Sequence, residues 1–97
     1  MQNEKTIRKL LRQANKHGAT WFVVKDTEEV VIRSNNVNDI ITAMDGGDEE
    51  FLIDCYSGEK GLKAYIGWFG LVMDNDEEEC ISDYSDNDFC NEVMEDF

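Results

Sequence analysis

The sequence EEFLIDCYSGEKGLKAYIGWFGLVM, residues 49–73, decides the fold. Two runs rich in apolar and aromatic residues flank a glycine-containing turn at residues 57–61, which is the pattern of an antiparallel β-hairpin. In the first run, Phe51, Ile53 and Cys55 occur at every second position, so they share one face of a strand. The second run predicts a strand over about residues 62–73.

Two glycines interrupt the second strand. Gly67 and Gly70 flank the pair Trp68-Phe69, and glycine inside a strand predicts a bulge or a bend. Adjacent strand residues point to opposite faces, so one ring of this pair belongs in the core. The same alternation applies to the Trp-Phe pair at residues 21–22. We expect core packing for at least three of these four side chains.

Two helices and a hairpin are predicted on the N-terminal side of this stretch. Apolar residues recur at steps of three and four over residues 3–17, and again after Asn36, which can cap the second helix before Gly46-Gly47 ends it. Between the helices, strands near residues 20–25 and 29–33 form a hairpin. The apolar stripes are Ile7, Leu10, Leu11 and Ala14 in the first helix, and Val37, Ile40, Ile41 and Met44 in the second.

The C-terminal side predicts a strand over residues 80–84 and a helix over residues 86–96. Ser85 is the expected N-cap of this helix, and Phe89, Val93 and Phe97 follow at steps of four. The element order is therefore α-β-β-α-β-β-β-α, and the short connections favour antiparallel pairing. We expect a single α+β domain over residues 1–97, with helices packed on a mainly antiparallel sheet of four to five strands whose order stays open.

Charge is distributed very unevenly along the chain. The net charge of −13 divides into +4 for residues 1–17, −6 for residues 18–73 and −11 for residues 74–97, where eleven carboxylates occur without any Lys, Arg or His. A surface selected for solubility alone normally mixes both signs. Apolar residues such as Ile81, Tyr84 and Phe89 lie between these acids, so we expect the segment to fold onto the core and to hold its charges in fixed positions.

Such an array of carboxylates approximates the field of duplex DNA, which presents about one charge per 1.7 Å of axis. In length, charge and α/β layout, the chain resembles small acidic proteins of phages, prophages and plasmids that mimic DNA and inhibit restriction, CRISPR or nucleoid proteins. The stretch ECISDYSDNDFCNEVM, residues 79–94, is similar to the ends of prophage reading frames. The resemblance implies a mobile-element origin and assigns no residue a role.

We therefore predict a cytoplasmic inhibitor, acting in the host cytosol, that binds a basic protein surface that normally holds nucleic acid. A protein this acidic is a poor partner for nucleic acid itself or for an anionic membrane. Glu28, Glu29, Asp48, Glu49 and Glu50 extend the predicted binding face at loop tips. The face itself comprises Asp74, Asp76, Glu77, Glu78, Glu79, Asp83, Asp86, Asp88, Glu92, Glu95 and Asp96.

Other functions stay open beside this one. An immunity or antitoxin protein would bind one basic nuclease, a virion accessory protein would have a structural role, and a purely solvated acidic surface would have no partner. A Ca²⁺-binding domain is a fourth alternative, although the EF-hand pattern fails: counted from Asp74, Glu79 stands where Gly is required and Ser85 where a bidentate Glu belongs. No cofactor is predicted.

The residues that could carry catalysis show no motif. Cys55, Cys80 and Cys90 form an odd set without a C-x-x-C pair, which is typical of buried, reduced thiols, and the single histidine, His17, ends the first helix. We therefore predict no enzymatic activity. No apolar run approaches the roughly 20 residues of a membrane span, and no signal peptide is recognisable.

The first helix is basic, in contrast to the rest of the chain. Its cations lie opposite the apolar stripe and would either offset part of the acidic surface within one molecule or contact the acidic face of a second copy in a homodimer. They are Lys5, Arg8, Lys9, Arg12 and Lys16.

Overall fold

The computed structural model of the chain describes residues 3–27, 29–45, 49–58, 64–73 and 80–97. The predicted α+β class and the predicted element order are both confirmed. The helices are α1 (Glu4–Lys16), α2 (Val37–Met44) and α3 (Asp88–Glu95), and the strands are β1 (Trp21–Lys25), β2 (Val30–Ser34), β3 (Glu50–Ser57), β4 (Ala64–Val72) and β5 (Ile81–Tyr84). None of the described helices is both long and apolar enough to cross a bilayer.

The strands form one antiparallel sheet in the order β2-β1-β3-β4-β5. The hairpin of β3 and β4 therefore lies at the centre, although most of its turn falls outside the described residues. The register shifts next to both glycines of β4: once where Cys55 pairs with Gly67, and once where Gly70 pairs with Asp83 on β5. These irregularities confirm the distortion that the glycines predict.

The hydrophobic core lies against one face of the sheet. Phe22 pairs with Cys55, Val24 with Ile53 and Phe51 with Leu71, and these side chains are buried together with the apolar stripes of the helices. In α1 the buried residues are those that the spacing predicts, and in α2 they are Ile40, Ile41 and Met44. Burying a large aliphatic or aromatic side chain contributes about 1.5–3 kcal/mol, so the contact between the helices and this face of the sheet is a major source of stability.

The helix caps agree with the sequence at α2 and differ from it at α3. The side chain of Asn36 accepts a hydrogen bond from the backbone nitrogen of Asp39 at 3.0 Å, as predicted. At α3 the prediction of Ser85 as the cap is wrong, because Asn87 accepts from the backbone nitrogen of Cys90 at 2.9 Å. The Ser85 hydroxyl accepts instead from the backbone nitrogen of Trp68, so it ties the segment to β4.

The two tryptophans correct a second expectation. Phe22 and Phe69 are buried in the core, whereas Trp21 and Trp68 are half-buried on the opposite face of the sheet. Two of these four rings, not three, therefore belong to the core. The physical reason is that all three helices contribute side chains to one core cluster, which leaves the alternate strand positions on a face that no described helix covers.

Gly67 allows α3 to approach β4 closely. Its φ angle is 155°, and a Cβ atom built there would lie 2.7 Å from Cys90 Sγ and 3.0 Å from Ser85 Oγ. Any other residue would displace the start of α3 and would also strain the backbone.

We expect Gly67→Ala to lower the free energy of unfolding by about 2–4 kcal/mol, because it combines overpacking with backbone strain. Chemical denaturation measures this change. Gly70→Ala is the matched control on the same strand: the nearest atom to its Cβ would be 3.6 Å away, so a loss below about 1 kcal/mol is expected. Equal losses in both variants would contradict this account of Gly67.

Candidate functional site

The described acidic residues of the predicted binding face are all exposed. Asp83 lies on β5, Asp86 precedes α3, and Asp96 is the C-cap residue of α3. Asp88, Glu92 and Glu95 lie on α3 itself. Among the proposed extensions, Glu29, Glu49 and Glu50 are exposed. The remaining predicted residues lie outside the described part of the chain: Asp74, Asp76, Glu77, Glu78 and Glu79, with Glu28 and Asp48.

The segment that carries the described acids is fastened to β4 by hydrogen bonds. The backbone nitrogen of Ser85 donates to the Trp68 carbonyl at 3.1 Å, and Trp68 donates back to the Ser85 hydroxyl at 3.1 Å. Asn87 caps α3 through its side-chain oxygen and donates through Nδ2 to the Ile66 carbonyl at 2.9 Å. The start of α3 is therefore set relative to the sheet, and so are the carboxylates that follow it.

Apolar side chains hold the other side of α3. Cys90 and Val93 are fully buried, and the ring of Phe89 contacts that of Phe69 edge to face, with centroids 6.1 Å apart. Of the predicted stripe, Val93 is fully buried while Phe89 and Phe97 are partly buried. The helix thus presents a packed side to the core and an acidic side to solvent.

Two acids at the end of α3 contact the end of α1. His17 Nε2 lies 2.6 Å from Asp96 Oδ2, and His17 Nδ1 lies 3.8 Å from Glu92 Oε2. Lys16 Nζ lies 3.8 Å from Asp96 Oδ2. The hydrogen bond from His17, with a smaller contribution from the Lys16 charge, holds the pKa of Asp96 below its usual range. We call this group of four residues the α1–α3 clasp.

A further contact joins the same two helices. Lys9 donates to the backbone carbonyl of Phe97, and its ammonium group lies 4.5 Å from the centre of the Phe97 ring. The basic first helix therefore offsets part of the acidic surface within one molecule, which is one of the two roles that its charge pattern predicts. Each of these exposed contacts contributes only modestly to stability.

The other described acids of the segment have a different environment. Within the described residues, Asp83, Asp86, Asp88 and Glu95 form no ion pair with a Lys, Arg or His. Asp83 accepts from the backbone nitrogen of Tyr84, and Asp86 accepts weakly from Asn91 at 3.5 Å. Of the described acids in this segment, Glu92 and Asp96 are therefore offset by the clasp, whereas Asp83, Asp86, Asp88 and Glu95 are not.

A second surface, whose full extent the sequence did not predict, lies on the side of the sheet that no described helix covers. Four aromatic side chains lie there: Trp21, Tyr56, Tyr65 and Trp68. The rings of Tyr56 and Tyr65 meet edge to face, with centroids 5.6 Å apart. We call this side the open sheet face. The signal was present in the two Trp-Phe pairs, whose alternation with core phenylalanines puts both tryptophans on one side.

An ion pair between a buried carboxylate and a partly exposed lysine lies within the open sheet face. Asp54 is only 6% exposed, and its Oδ2 atom lies 2.7 Å from Lys25 Nζ. The hydrogen bond to Asp54 and the charge of Asp54 both raise the pKa of Lys25. Removing Lys25 would leave the buried Asp54 carboxylate poorly solvated, so the pair constrains how β1 and β3 lie against each other.

Metal and thiol chemistry have little support in the described residues. They contain no group of three or more His, Cys, Asp or Glu side chains placed to hold a metal ion. All three thiols are buried, and burial raises the pKa of Cys55 and of Cys90. Because residues 74–79 lie outside the described part, the alternative of Ca²⁺ binding stays a prediction.

No family model matches the chain, and neither a curated protein nor a solved structure gave a match.

The contact between His17 and Asp96 in the clasp leads to a prediction about the pH dependence of stability. Because the folded pKa of Asp96 is lowered, its ionisation contributes stability that is present above the unfolded pKa of about 3.9 and is lost as the pH falls through the folded value. We expect His17→Ala to raise the pKa of Asp96 towards its usual range, measured by NMR titration of the side-chain carboxyl. Lys16→Ala, the control on the neighbouring residue, should raise it less. An unchanged Asp96 pKa in His17→Ala would show that the hydrogen bond does not form in solution.

Proposed function

We propose that this protein binds a basic protein surface that normally holds nucleic acid, and that it competes for that surface with fixed carboxylates. The observation that carries the proposal is the attachment of α3: an acidic helix that is capped by Asn87, tied to β4 and packed on the core. Charges fixed in this way lose little conformational entropy on binding, unlike those of a flexible tail.

The spacing of the charges on α3 supports mimicry of a nucleic-acid strand. Four acids lie on one side of α3: Asp88, Glu92, Glu95 and Asp96. They fall within about 100° of arc around the helix axis, since each residue turns the helix by about 100°. They span about 12 Å at 1.5 Å per residue, so neighbouring carboxylates of this set are about 4 Å apart along the axis on average. One strand of duplex DNA presents a charge about every 3.4 Å along the axis. The spacing of the carboxylates on α3 is therefore similar to that of the phosphates on one DNA strand.

The clasp modifies this array without removing it. Glu92 and Asp96 are exposed, so their pairing with His17 and Lys16 is weakened by solvent and can be exchanged for pairing with a partner. Asp88 and Glu95 form no ion pair within the described residues, so they have no such pairing to exchange when they bind a partner. The net charge of −13 adds a long-range field that accelerates association with a basic protein and weakens as salt rises.

In this proposal the protein acts in the cytosol of a host cell as a mobile-element inhibitor, and it needs no catalysis or cofactor. An immunity-type inhibitor of a basic nuclease would be the case in which the surface serves one cognate enzyme. The partner's basic groups would then lie in its nucleic-acid cleft, and bound protein and bound nucleic acid would exclude each other.

The test compares charge reversal at two places. Asp88→Lys with Glu95→Lys removes the uncompensated acids of α3. Asp39→Lys with Asp45→Lys makes the same change in net charge on α2 and at its C-cap, at the opposite edge of the sheet. Affinity capture from host lysate at low salt, with elution by rising salt, identifies the partner, and stopped-flow mixing then gives the association rate.

We expect the α3 variant to elute at lower salt and to associate several-fold more slowly, while the control stays close to the unmodified protein. Labelled DNA bound to the captured protein should be displaced by the unmodified protein and poorly displaced by the α3 variant. If the association rate falls by the same factor in both variants, net charge alone governs binding and α3 is not the docking surface.

A further inference from the structure

The open sheet face is aromatic and lacks a cover in the described part of the chain. Tyr65 is 53% exposed, and Trp21, Tyr56 and Trp68 are half-buried. Val23, at the centre of this face, is buried but does not belong to the core cluster on the other side of the sheet. Both tryptophans of the chain lie here. Aromatic residues are enriched at protein–protein interfaces, where a large apolar body is buried at low entropic cost.

This face is also nearly neutral on a very acidic molecule. By register and alternation, the described strands bring Lys25 and Arg33 to it together with Glu50, Asp54 and Asp83, a net charge of −1. Residues outside this set account for the remaining −12 of the total −13. Two copies of the chain can therefore approach through this face with less like-charge contact than through the acidic surface.

The size of the face suits a protein rather than a small molecule. The five strands, spaced about 4.8 Å apart, contain 31 residues in all, which at about 3.3 Å per residue cover about 490 Å² of flat area. Side-chain relief raises the accessible area above this value. A standard interface buries about 800 Å² on each partner, so the whole face is about one such half-interface.

We propose that two copies of this chain associate through their open sheet faces and form a twofold-symmetric dimer. A second copy fits better than single-stranded nucleic acid, which also stacks on aromatic sheet faces, because Lys25 is already paired with Asp54 and the molecule as a whole repels phosphates. Face-to-face packing of sheets about 10 Å apart is a common way to bury such a surface. This inference does not rest on the proposed function.

The edges of the face are self-complementary. Arg33 lies on β2 at one edge of the sheet and Asp83 on β5 at the other. A twofold axis parallel to the strands places β2 of one copy over β5 of the second copy, so each Arg33 comes over the edge that carries Asp83. The same operation places β1 over β4, which brings Trp21 of one copy towards Trp68 of the other.

The sign of the salt effect distinguishes this dimer from charge-driven association. Two molecules of charge −13 repel each other, and salt screens that repulsion, so dimerisation through a nearly neutral face strengthens as salt rises. Binding to a basic protein weakens under the same change. A dimer that joined the basic helix of one copy to the acidic surface of another would weaken as well.

The experiment is sedimentation velocity over a concentration series at low and high salt, with tryptophan emission recorded on the same samples. We expect a dimer whose population rises with protein concentration and with salt. Tryptophan emission should shift to shorter wavelength as the dimer population rises, because Trp21 and Trp68 both lose contact with water. Tyr65→Glu should weaken dimerisation at least tenfold, whereas Thr42→Glu, which adds the same charge at an exposed position of α2, should leave it nearly unchanged.

A second pair of variants tests the arrangement. Arg33→Asp should weaken the dimer, and Arg33→Asp combined with Asp83→Arg should restore it.

A monomer at every concentration and salt, or equal effects of Tyr65→Glu and Thr42→Glu, would overturn the proposal. A dimer that weakens with salt would place the contact on the charged surfaces instead, and failure of the double variant would overturn the twofold arrangement. Tryptophan quenching by a single-stranded oligonucleotide would assign the face to nucleic acid and overturn the dimer.

Discussion

The alternation of side chains along β3 and β4 is the constraint on which the rest of this structure depends. Ile53 and Phe69, paired across the two central strands, point into the only core that the described helices form. Their neighbours Asp54 and Trp68, paired in the next row, must then point away from it. A slip of the register by one residue would bury a carboxylate under the helices and expose the core phenylalanine, so both sides of the sheet are specified together.

The same alternation explains what could be read from the sequence and what could not. Element order, the helical stripes and the cap at Asn36 follow from local spacing and local hydrogen bonding, and they are confirmed. The cap of α3 was beyond local reasoning, because Ser85 and Asn87 are both good cap residues and the bond from Trp68 to Ser85 decides between them. Strand order, and the contact of His17 with Asp96 across 79 positions, depend on where whole elements pack. The face on which the tryptophans lie depends on the same packing.

Charge and packing are coupled in a way that the composition alone does not suggest. A chain of net charge −13 repels itself when it folds, and the acidic helix α3 lies next to α1, the most basic of the described helices. The clasp at His17 offsets two of those acids and leaves the acids nearer to β5 without a described cation. Among the described acids, those without a cation are thus found at both ends of α3, with Asp86 and Asp88 at its start and Glu95 at its end.

The two proposed surfaces lie on opposite layers of the molecule, and they draw on different physics. The helix layer carries charge, which acts over about 8 Å at physiological salt and governs the rate of encounter and the orientation of approach. The open sheet face carries aromatic area, which acts only on contact and governs how long a complex lasts. Apart from Asp83, which the dimer would cover, the described acids of the predicted binding face lie on or next to α3, on the other side of the sheet. The acids of α3 therefore stay accessible when the open sheet face is occupied. A dimer joined through its sheets would present two acidic helices outward, and simultaneous contact of both with one extended basic surface would raise the effective concentration of the second helix without any new contact.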